Sequence, residues 1–235
     1  MKLFAMAAWM TLAQMQAQSF DVASIKPPNP NGDRGMNMST EGGTVRMHNA
    51  TLRFCIMTAY GVQDYLIEGG PGWTNTDRYE ITAKAPDLAP QGQVPRMLQT
   101  LLEERFKLMV HRETKQLPVF ALTLAKNGSK LHPADPGADN FLGRRGVRGP
   151  LTGRRASMPG LAATLSTLMG RKVLDQTGLT GVYDFTLEFA PPDASDSTLP
   201  SLVTALQEQL GLKLEATKGP VDVVVIDHAE KPTED

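Results

Sequence analysis

The chain has 235 residues, of which 41% are hydrophobic and 21% are charged, and its formal net charge at pH 7 is −1. A hydrophobic share of this size is typical of a folded globular protein and excludes an intrinsically disordered chain. The small net charge removes the electrostatic basis for general binding to nucleic acid or to an acidic membrane surface. The length suits one large domain or two small ones.

The N-terminus has the composition of an export signal. Lys2 precedes an apolar run over residues 3–12, and small and polar residues follow over 13–18. The run is too short to cross a bilayer as a helix, which takes about 20 residues, but it matches the core of a signal peptide. We therefore predict a signal peptide over residues 1–17, with a buried first helix as the alternative. The expected product is periplasmic or secreted, without a transmembrane span in its mature chain.

The first half of the chain predicts strands that alternate with two amphipathic helices. Thr51 is a favoured N-cap, and apolar residues follow it at helical spacing until Gly61 ends the helix. A second apolar stripe begins at Leu98 and ends at Phe106. Residues 29–43 have no period and predict an exposed loop. Strands are predicted at residues 20–25, 44–48, 65–67, 78–85, 107–112 and 117–124.

The second half repeats these apolar positions in the same order. Ser157 stands 106 residues after Thr51, and Tyr183 stands 104 residues after Tyr79. The change of two falls in a turn, where a short insertion is easily tolerated. The predicted order of elements in each half is therefore β-α-β-β-α-β-β. Amphipathic helices need a sheet to cover their apolar face, which indicates an α+β fold.

We predict two tandem, similar β-α-β-β-α-β-β modules over residues 18–129 and 149–235. Residues 130–148 between them lack an apolar period and are rich in Gly, Pro and Asp, a composition that is typical of a linker. A module of this size is only marginally stable by itself, so packing between the two modules is expected to stabilise both.

Trp73 is the most distinctive candidate for a binding residue, because it directly follows a Gly-Gly-Pro-Gly turn. Beside such a turn an indole either closes the core as a hydrophobic plug or stands out as an anchor for a partner or ligand. Leu179 occupies the corresponding place in the second half, which favours the plug.

A second candidate is a local cluster of arginines among glycines. It is either a solvated hinge or a contact for an anion, a lipid headgroup or an acidic partner. Aromatic residues do not alternate with the arginines to stack bases, so nucleic acid is not predicted as a partner. The candidate residues are Arg144, Arg145, Arg148, Arg154 and Arg155.

Residues that could carry catalysis are scattered. The histidines fall in different predicted elements at no ligand spacing, so neither a metal nor a cofactor is predicted. The chain has no Gly-x-Ser-x-Gly elbow, no P-loop and no His-Glu-x-x-His motif. Cys55 is either a nucleophile or a small buried hydrophobe, and its place on an apolar stripe favours the second. Glu103, Glu104 and Glu208 lie on polar helix faces, where solvated side chains are favoured over catalytic carboxylates.

Tyr79 and Tyr183 each enter a predicted strand whose alternate residues are apolar. Alternation places both tyrosines on the apolar face. They are therefore predicted to face the core, with the hydroxyl at a polar edge. The alternative is a pair of tyrosines that read a ligand at an open surface.

Several segments together resemble a known family. They include Phe-Asp-Val-Ala-Ser-Ile-Lys-Pro (20–27), Gly-Gly-Pro-Gly-Trp (69–73), Thr-Gly-Leu-Thr-Gly-Val-Tyr-Asp-Phe (177–185) and Val-Ile-Asp-His-Ala-Glu-Lys-Pro (225–232). In this order they resemble the large soil-associated family of exported bacterial proteins of unknown function. The resemblance implies export and brings no catalytic residue with it. Some relatives are fused to membrane metallopeptidases of the antirepressor type, which implies sensing outside the membrane.

The order of elements in each half also looks like the short N-terminal domain of secretins and TonB-dependent receptors. Those domains are periplasmic protein-docking modules without chemistry. We therefore expect an exported, non-catalytic binding or interaction module of the bacterial cell envelope, with an envelope protein as its partner. The alternatives are a hydrolase that acts on envelope material and a sensor domain that partners an antirepressor-type metallopeptidase.

Overall fold

Helices and sheets together form an α+β fold, which confirms the predicted class. The predicted signal peptide lies outside the described part of the chain. Within that part, no helix is both long enough and apolar enough to cross a membrane. The computed structural model describes residues 19–29, 34–86, 92–135, 137, 139–144, 146, 149–191 and 197–233.

The described chain contains twelve strands and five α-helices. The strands are β1 (Val22–Lys26), β2 (Asn37–Glu41), β3 (Thr44–Ala50), β4 (Ile67–Gly69), β5 (Tyr79–Lys84), β6 (Met109–Leu124), β7 (His132–Pro133), β8 (Phe141–Arg144), β9 (Leu151–Ser157), β10 (Val173–Asp175), β11 (Val182–Leu187) and β12 (Leu212–His228). The helices are α1 (Leu52–Tyr60), α2 (Trp73–Thr76), α3 (Val94–Phe106), α4 (Met158–Met169) and α5 (Leu202–Ala205), which continues into a π-helical turn over Leu206–Leu210.

The chain forms two compact units. The first contains the residues up to Thr114 together with Asp222–Asp235, and the second contains Lys115–Val221. The long strands β6 and β12 therefore each belong partly to one unit and partly to the other. This division differs from the predicted modules, which meet at residues 130–148, and that boundary stays a prediction. The described residues of the predicted linker include β7 and β8, which the sequence does not predict because short edge strands carry no apolar alternation.

The first unit has an antiparallel sheet in the order β1-β5-β3-β2. Its buried face packs against α1 and α3, whose apolar stripes include the fully buried Ile56, Leu102 and Phe106. The loop predicted over residues 29–43 contains β2, so that prediction was wrong. As the outer strand, β2 is mostly exposed and polar, and such a strand shows no apolar pattern in the sequence.

The second unit has a sheet in the corresponding order, β7-β11-β9-β8. Its core lies beneath α4, α5 and the π-helical turn, and it includes Leu151, Leu161 and Leu206. In each unit one short strand also pairs in parallel with a long strand. These pairs are β4 with β12 in the first unit and β10 with β6 in the second.

The entrance to α1 in the first unit and to α4 in the second has the same local geometry. Asn49 has a positive φ of 50°, and its backbone N–H donates to Glu80 Oε1 at 3.2 Å. Arg155 has a φ of 48°, and its backbone N–H donates to Asp184 Oδ1 at 2.8 Å. A hydroxyl N-cap follows two residues later in both units. A repeat would produce this correspondence, but the tandem arrangement itself stays a prediction.

Candidate functional site

Trp73 begins α2, and its side chain is half-buried against the core of the first unit. Its ring stacks on Phe106, with ring centroids 6.5 Å apart and an angle of 17° between the planes. Phe106 in turn meets Tyr79 edge-on, with centroids 5.3 Å apart. Aromatic contacts of this kind hold the indole in place. The placement agrees with the plug interpretation of Trp73.

Two of the predicted arginines point to opposite faces of one hairpin. Arg154 stands opposite Phe141 across the β8–β9 pair, and its guanidinium lies 5.5 Å over that ring. Arg144 is three residues further along β8, so its side chain projects from the other face. There it lies 4.8 Å over the ring of the buried Phe189. Arg144 and Arg154, which belong to one cluster in the sequence, therefore lie on opposite faces of the hairpin.

Arg155, the other described arginine of the predicted cluster, does not extend this pair into a common surface. Arg155 binds its own unit, because its Nε donates to Asn140 Oδ1 and its Nη1 donates to the Asp135 carbonyl, both at 3.2 Å. Arg145 and Arg148 lie outside the described residues. The described arginines therefore act as packing and tethering groups of the second unit, and they do not converge on one anion site.

An open groove of about 640 Å³ lies on the first unit, and we call it the Tyr60 groove. It is bounded by the end of α1, the exposed side of α3, the start of β6 and the end of β12. The helical spacing of α3 places Gln99 and Glu103 on one face, four residues apart, while the apolar stripe faces the core. Lys107 follows the helix as its left-handed cap, with a φ of 50°. The lining residues are Tyr60, Gln99, Glu103, Lys107, Leu108, Met109, Val110, Asp227 and His228.

The Tyr60 groove combines apolar surface with a few polar groups. The side chain of Met109 is 61% exposed, although it stands on a strand between apolar neighbours. Burial raises the pKa of the Tyr60 phenol, and the Glu103 carboxylate raises it further, while Arg112 acts in the opposite direction. Gln99 Nε2 donates to the Ala59 carbonyl at 2.7 Å and so fixes the helix that carries the polar side. A cleft of this composition is suited to binding.

A histidine–aspartate pair stands beside the groove. His111 Nδ1 lies 2.9 Å from Asp227 Oδ2, which joins β6 to β12. His111 Nε2 is 3.9 Å from Glu113 Oε2, which is too long for a hydrogen bond. The described contact of the pair is therefore the one between His111 Nδ1 and Asp227, and it links the start of β6 to the end of β12.

Cys55 is fully buried on the apolar face of α1, with its Sγ 3.6 Å from Met47 Sδ. Burial raises the pKa of the thiol to about 12. The thiolate is the reactive form of cysteine, so this environment opposes the nucleophile alternative. Among the described residues, no group of three or more His, Cys, Asp and Glu side chains could hold a metal ion.

The burial of Cys55 leads to a test with thiol reagents. In the folded protein at pH 8 we expect alkylation to be slower than in denaturant by at least about a hundredfold, because few molecules carry an accessible thiolate. Mass spectrometry after timed exposure to iodoacetamide, with and without guanidinium, measures the ratio. Equal rates in the two conditions would contradict the buried position and restore Cys55 as a candidate nucleophile.

The Tyr60 groove was missed in the sequence, and only one residue gave a signal for it. Met109 is an apolar residue at a position where alternation along the strand predicts an exposed side chain. The other lining residues come from three stretches that are far apart along the chain, namely the end of α1, residues 99–110 and the end of β12, so no local pattern connects them. Glu103 was interpreted as part of a solvated helix face, and its side chain is exposed as that interpretation requires.

One protein-family comparison gives a match, which covers residues 53–229. The matching family is described as "Protein of unknown function (DUF3738)". Comparison with curated proteins and with solved structures gives no match.

Proposed function

The chain belongs to the DUF3738 family of proteins of unknown function, and on that premise we propose that it is an exported, non-catalytic binding module of the bacterial cell envelope. The partner is an envelope protein, and it docks in the Tyr60 groove. Export rests on the signal peptide predicted over residues 1–17. The resemblance to the soil-associated exported family, and that of each half to secretin and TonB-receptor docking domains, support the same setting.

The observation that carries the proposal is the exposure of Met109 in a groove of about 640 Å³. A methionine is flexible and polarizable, so it adapts to partners of different shape. A partner that covers Met109, Val110 and Tyr60 would remove apolar surface from water, which is the main source of affinity at such sites. The polar groups around this surface would then fix the orientation of the partner.

The charges of the groove define the chemistry of the partner. Glu103 and Asp227 contribute two carboxylates to the lining, and Lys107 contributes one ammonium group. Asp227 is already bound to His111, whereas the exposed Glu103 side chain is available at the groove. A segment with an apolar side chain beside one lysine or arginine matches this arrangement, because the apolar group covers Met109 while the cation meets Glu103.

Replacement of Met109 by glutamine tests the proposal. Glutamine keeps the length and the neutral charge of methionine but removes its apolar character. We expect Met109→Gln to weaken capture of a stoichiometric envelope partner by about tenfold or more, since burial of a methionine contributes about 1.5–3 kcal/mol. The measurement is titration of the immobilised full chain with the partner recovered from envelope extract.

Leu124→Gln is the matched control, because Leu124 is a second exposed apolar residue of β6, 42% exposed, and lies outside the groove. Its affinity should equal that of the wild type. Equal losses in both variants would contradict docking in the Tyr60 groove. Turnover of an envelope substrate without a stoichiometric partner would instead favour the envelope hydrolase. Recovery of an antirepressor-type metallopeptidase would identify the partner and favour the sensor role.

A further inference from the structure

The segment that follows β12 lies across the first unit next to Trp73. Glu230 donates its backbone N–H to the Phe106 carbonyl at the end of α3, with a distance of 2.7 Å. Ala229 packs against the buried core of the same unit. We call residues 229–233 the C-terminal strap. Open pockets of about 310 and 260 Å³ are both lined by the strap residues Lys231, Pro232 and Thr233.

Lys231 occupies a small cation site within this arrangement. Its Nζ lies 2.7 Å from Asp77 Oδ2 and 6.0 Å from the centroid of the Trp73 ring. The negative face of an indole attracts a cation within about 6 Å, and a carboxylate at hydrogen-bond distance adds a charge-assisted contact. The hydrogen bond from Lys231 also lowers the pKa of Asp77 more than any other contact. Trp73 and Asp77 together thus supply the two groups that recognise an ammonium ion.

We propose that Trp73 and Asp77 form a binding site for a lysine side chain of a partner protein, and that Lys231 of the C-terminal strap occupies this site in the free protein. The ammonium of Lys231 shows which chemistry the site accepts. The adjoining pocket of about 310 Å³, lined by Asp77, Tyr79 and Pro232, leaves room for the peptide that carries the competing lysine. The site shares no lining residue with the Tyr60 groove, so the inference does not rest on the proposed function.

The surrounding charges restrict the ligand to a segment with a single cation. Lys26 and Arg78 also line the adjoining pocket. They repel a second positive charge, so a polybasic segment is disfavoured. The strap itself gives the matching pattern, since Lys231 stands between Glu230 and Pro232. We therefore expect an extended segment with one lysine, flanked by neutral or acidic residues.

A tethered lysine competes with any external ligand at an effective concentration in the millimolar range. Removing it should therefore strengthen binding of an added peptide. In Lys231→Gln we expect the amidated peptide Ala-Glu-Lys-Pro-Thr to bind at least about tenfold more tightly than in the wild type. The signal is the fluorescence of Trp73, in the full chain carrying Trp9→Phe so that Trp73 is its single tryptophan.

Two controls make the result specific. The same peptide with glutamine in place of lysine should give no saturable signal, and Asp77→Asn in the Lys231→Gln background should weaken lysine-peptide binding by about tenfold or more. Lys213→Gln is the matched variant, because Lys213 is also an exposed lysine paired with a carboxylate, Glu215. It should leave peptide affinity at the wild-type value.

The inference is overturned if Lys231→Gln shows no saturable response to millimolar peptide, or if the lysine and glutamine peptides bind equally. Lys231 and Lys213 are exposed and Asp77 is half-buried, so the variants at these positions are expected to fold. Circular dichroism checks this directly. Sedimentation tests whether the site is instead occupied by the strap of a second copy of the chain. A wild-type dimer that dissociates in Lys231→Gln would show that the site holds the strap of a second copy, and this too would overturn the proposal of a different partner protein.

Discussion

Replacing Tyr79 by alanine is expected to lower the free energy of unfolding by about 3–5 kcal/mol, the usual cost of removing a large aromatic side chain from a core. Tyr79 is only 9% exposed and meets the fully buried Phe106 edge-on. The cavity left by alanine would therefore open beside the ring that also supports Trp73. Its predicted position on the core face of the strand is confirmed.

The Tyr79→Phe variant separates the contribution of ring packing to stability from the contribution of the hydroxyl. It keeps the ring and should cost at most about 1 kcal/mol, which is the net value of a single hydrogen bond. Tyr183→Ala should cost less than Tyr79→Ala, because Tyr183 is half-buried at the corresponding place in the second unit. Chemical denaturation followed by circular dichroism measures the free energy of unfolding of all three variants. Wild-type stability of Tyr79→Ala together with loss of partner binding would show that the tyrosine is a recognition group.

Replacing Gly211 by alanine is expected to cost about 2–5 kcal/mol, because two penalties add at this position. Gly211 follows the π-helical turn with a φ of 67°, and a residue with a side chain costs about 1–2 kcal/mol there. An added Cβ would also overlap the Gly128 carbonyl oxygen and approach the Lys130 nitrogen to 2.9 Å. Overpacking of this kind adds about 1–3 kcal/mol.

Gly170→Ala is the matched control. Gly170 ends α4 with a φ of 58°, and an added Cβ there meets no atom within 4 Å. It should therefore show only the left-handed penalty of about 1–2 kcal/mol. Urea unfolding measures the free energy of unfolding of both variants. The difference between their losses gives the cost of the contact between the added Cβ at position 211 and the loop before Lys130. Equal losses would mean that the loop moves away freely and contributes nothing to the end of the helix.

Features set by neighbouring residues could be predicted from the sequence. Thr51 caps α1 by accepting from the Phe54 N–H at 3.1 Å, and Gly61 ends the helix with a positive φ, both as predicted. The predicted stripe of Leu52, Cys55 and Ile56 is fully buried. Capping, helical periodicity and glycine turns depend on residues within a few positions of each other. The sequence therefore carries their signal directly.

The candidate sites depend on contacts that no local pattern contains. The arginine cluster is compact along the chain, yet strand alternation sends Arg144 and Arg154 to opposite faces. Conversely, Tyr60 and Asp227 lie far apart along the chain and line one groove. Lys231 reaches Trp73 and Asp77 across a similar separation. Side chains that meet only through folding leave no spacing by which the sequence could identify them.

The long strands show most clearly what tertiary structure decided. The sequence predicted two short strands over residues 107–124, separated by a polar turn, but β6 runs unbroken over Met109–Leu124. β6 neighbours β12 in its sheet, and the backbone hydrogen bonds of a sheet do not depend on whether the side chains are apolar, so a polar stretch can belong to a strand. By itself the sequence determined the apolar stripes of α1, α3 and α4, the caps Thr51 and Ser157 and the α+β class, since these follow from local periodicity. Only the pairing of distant strands decided how far each strand extends and which residues of the first unit meet in the groove and beneath the strap.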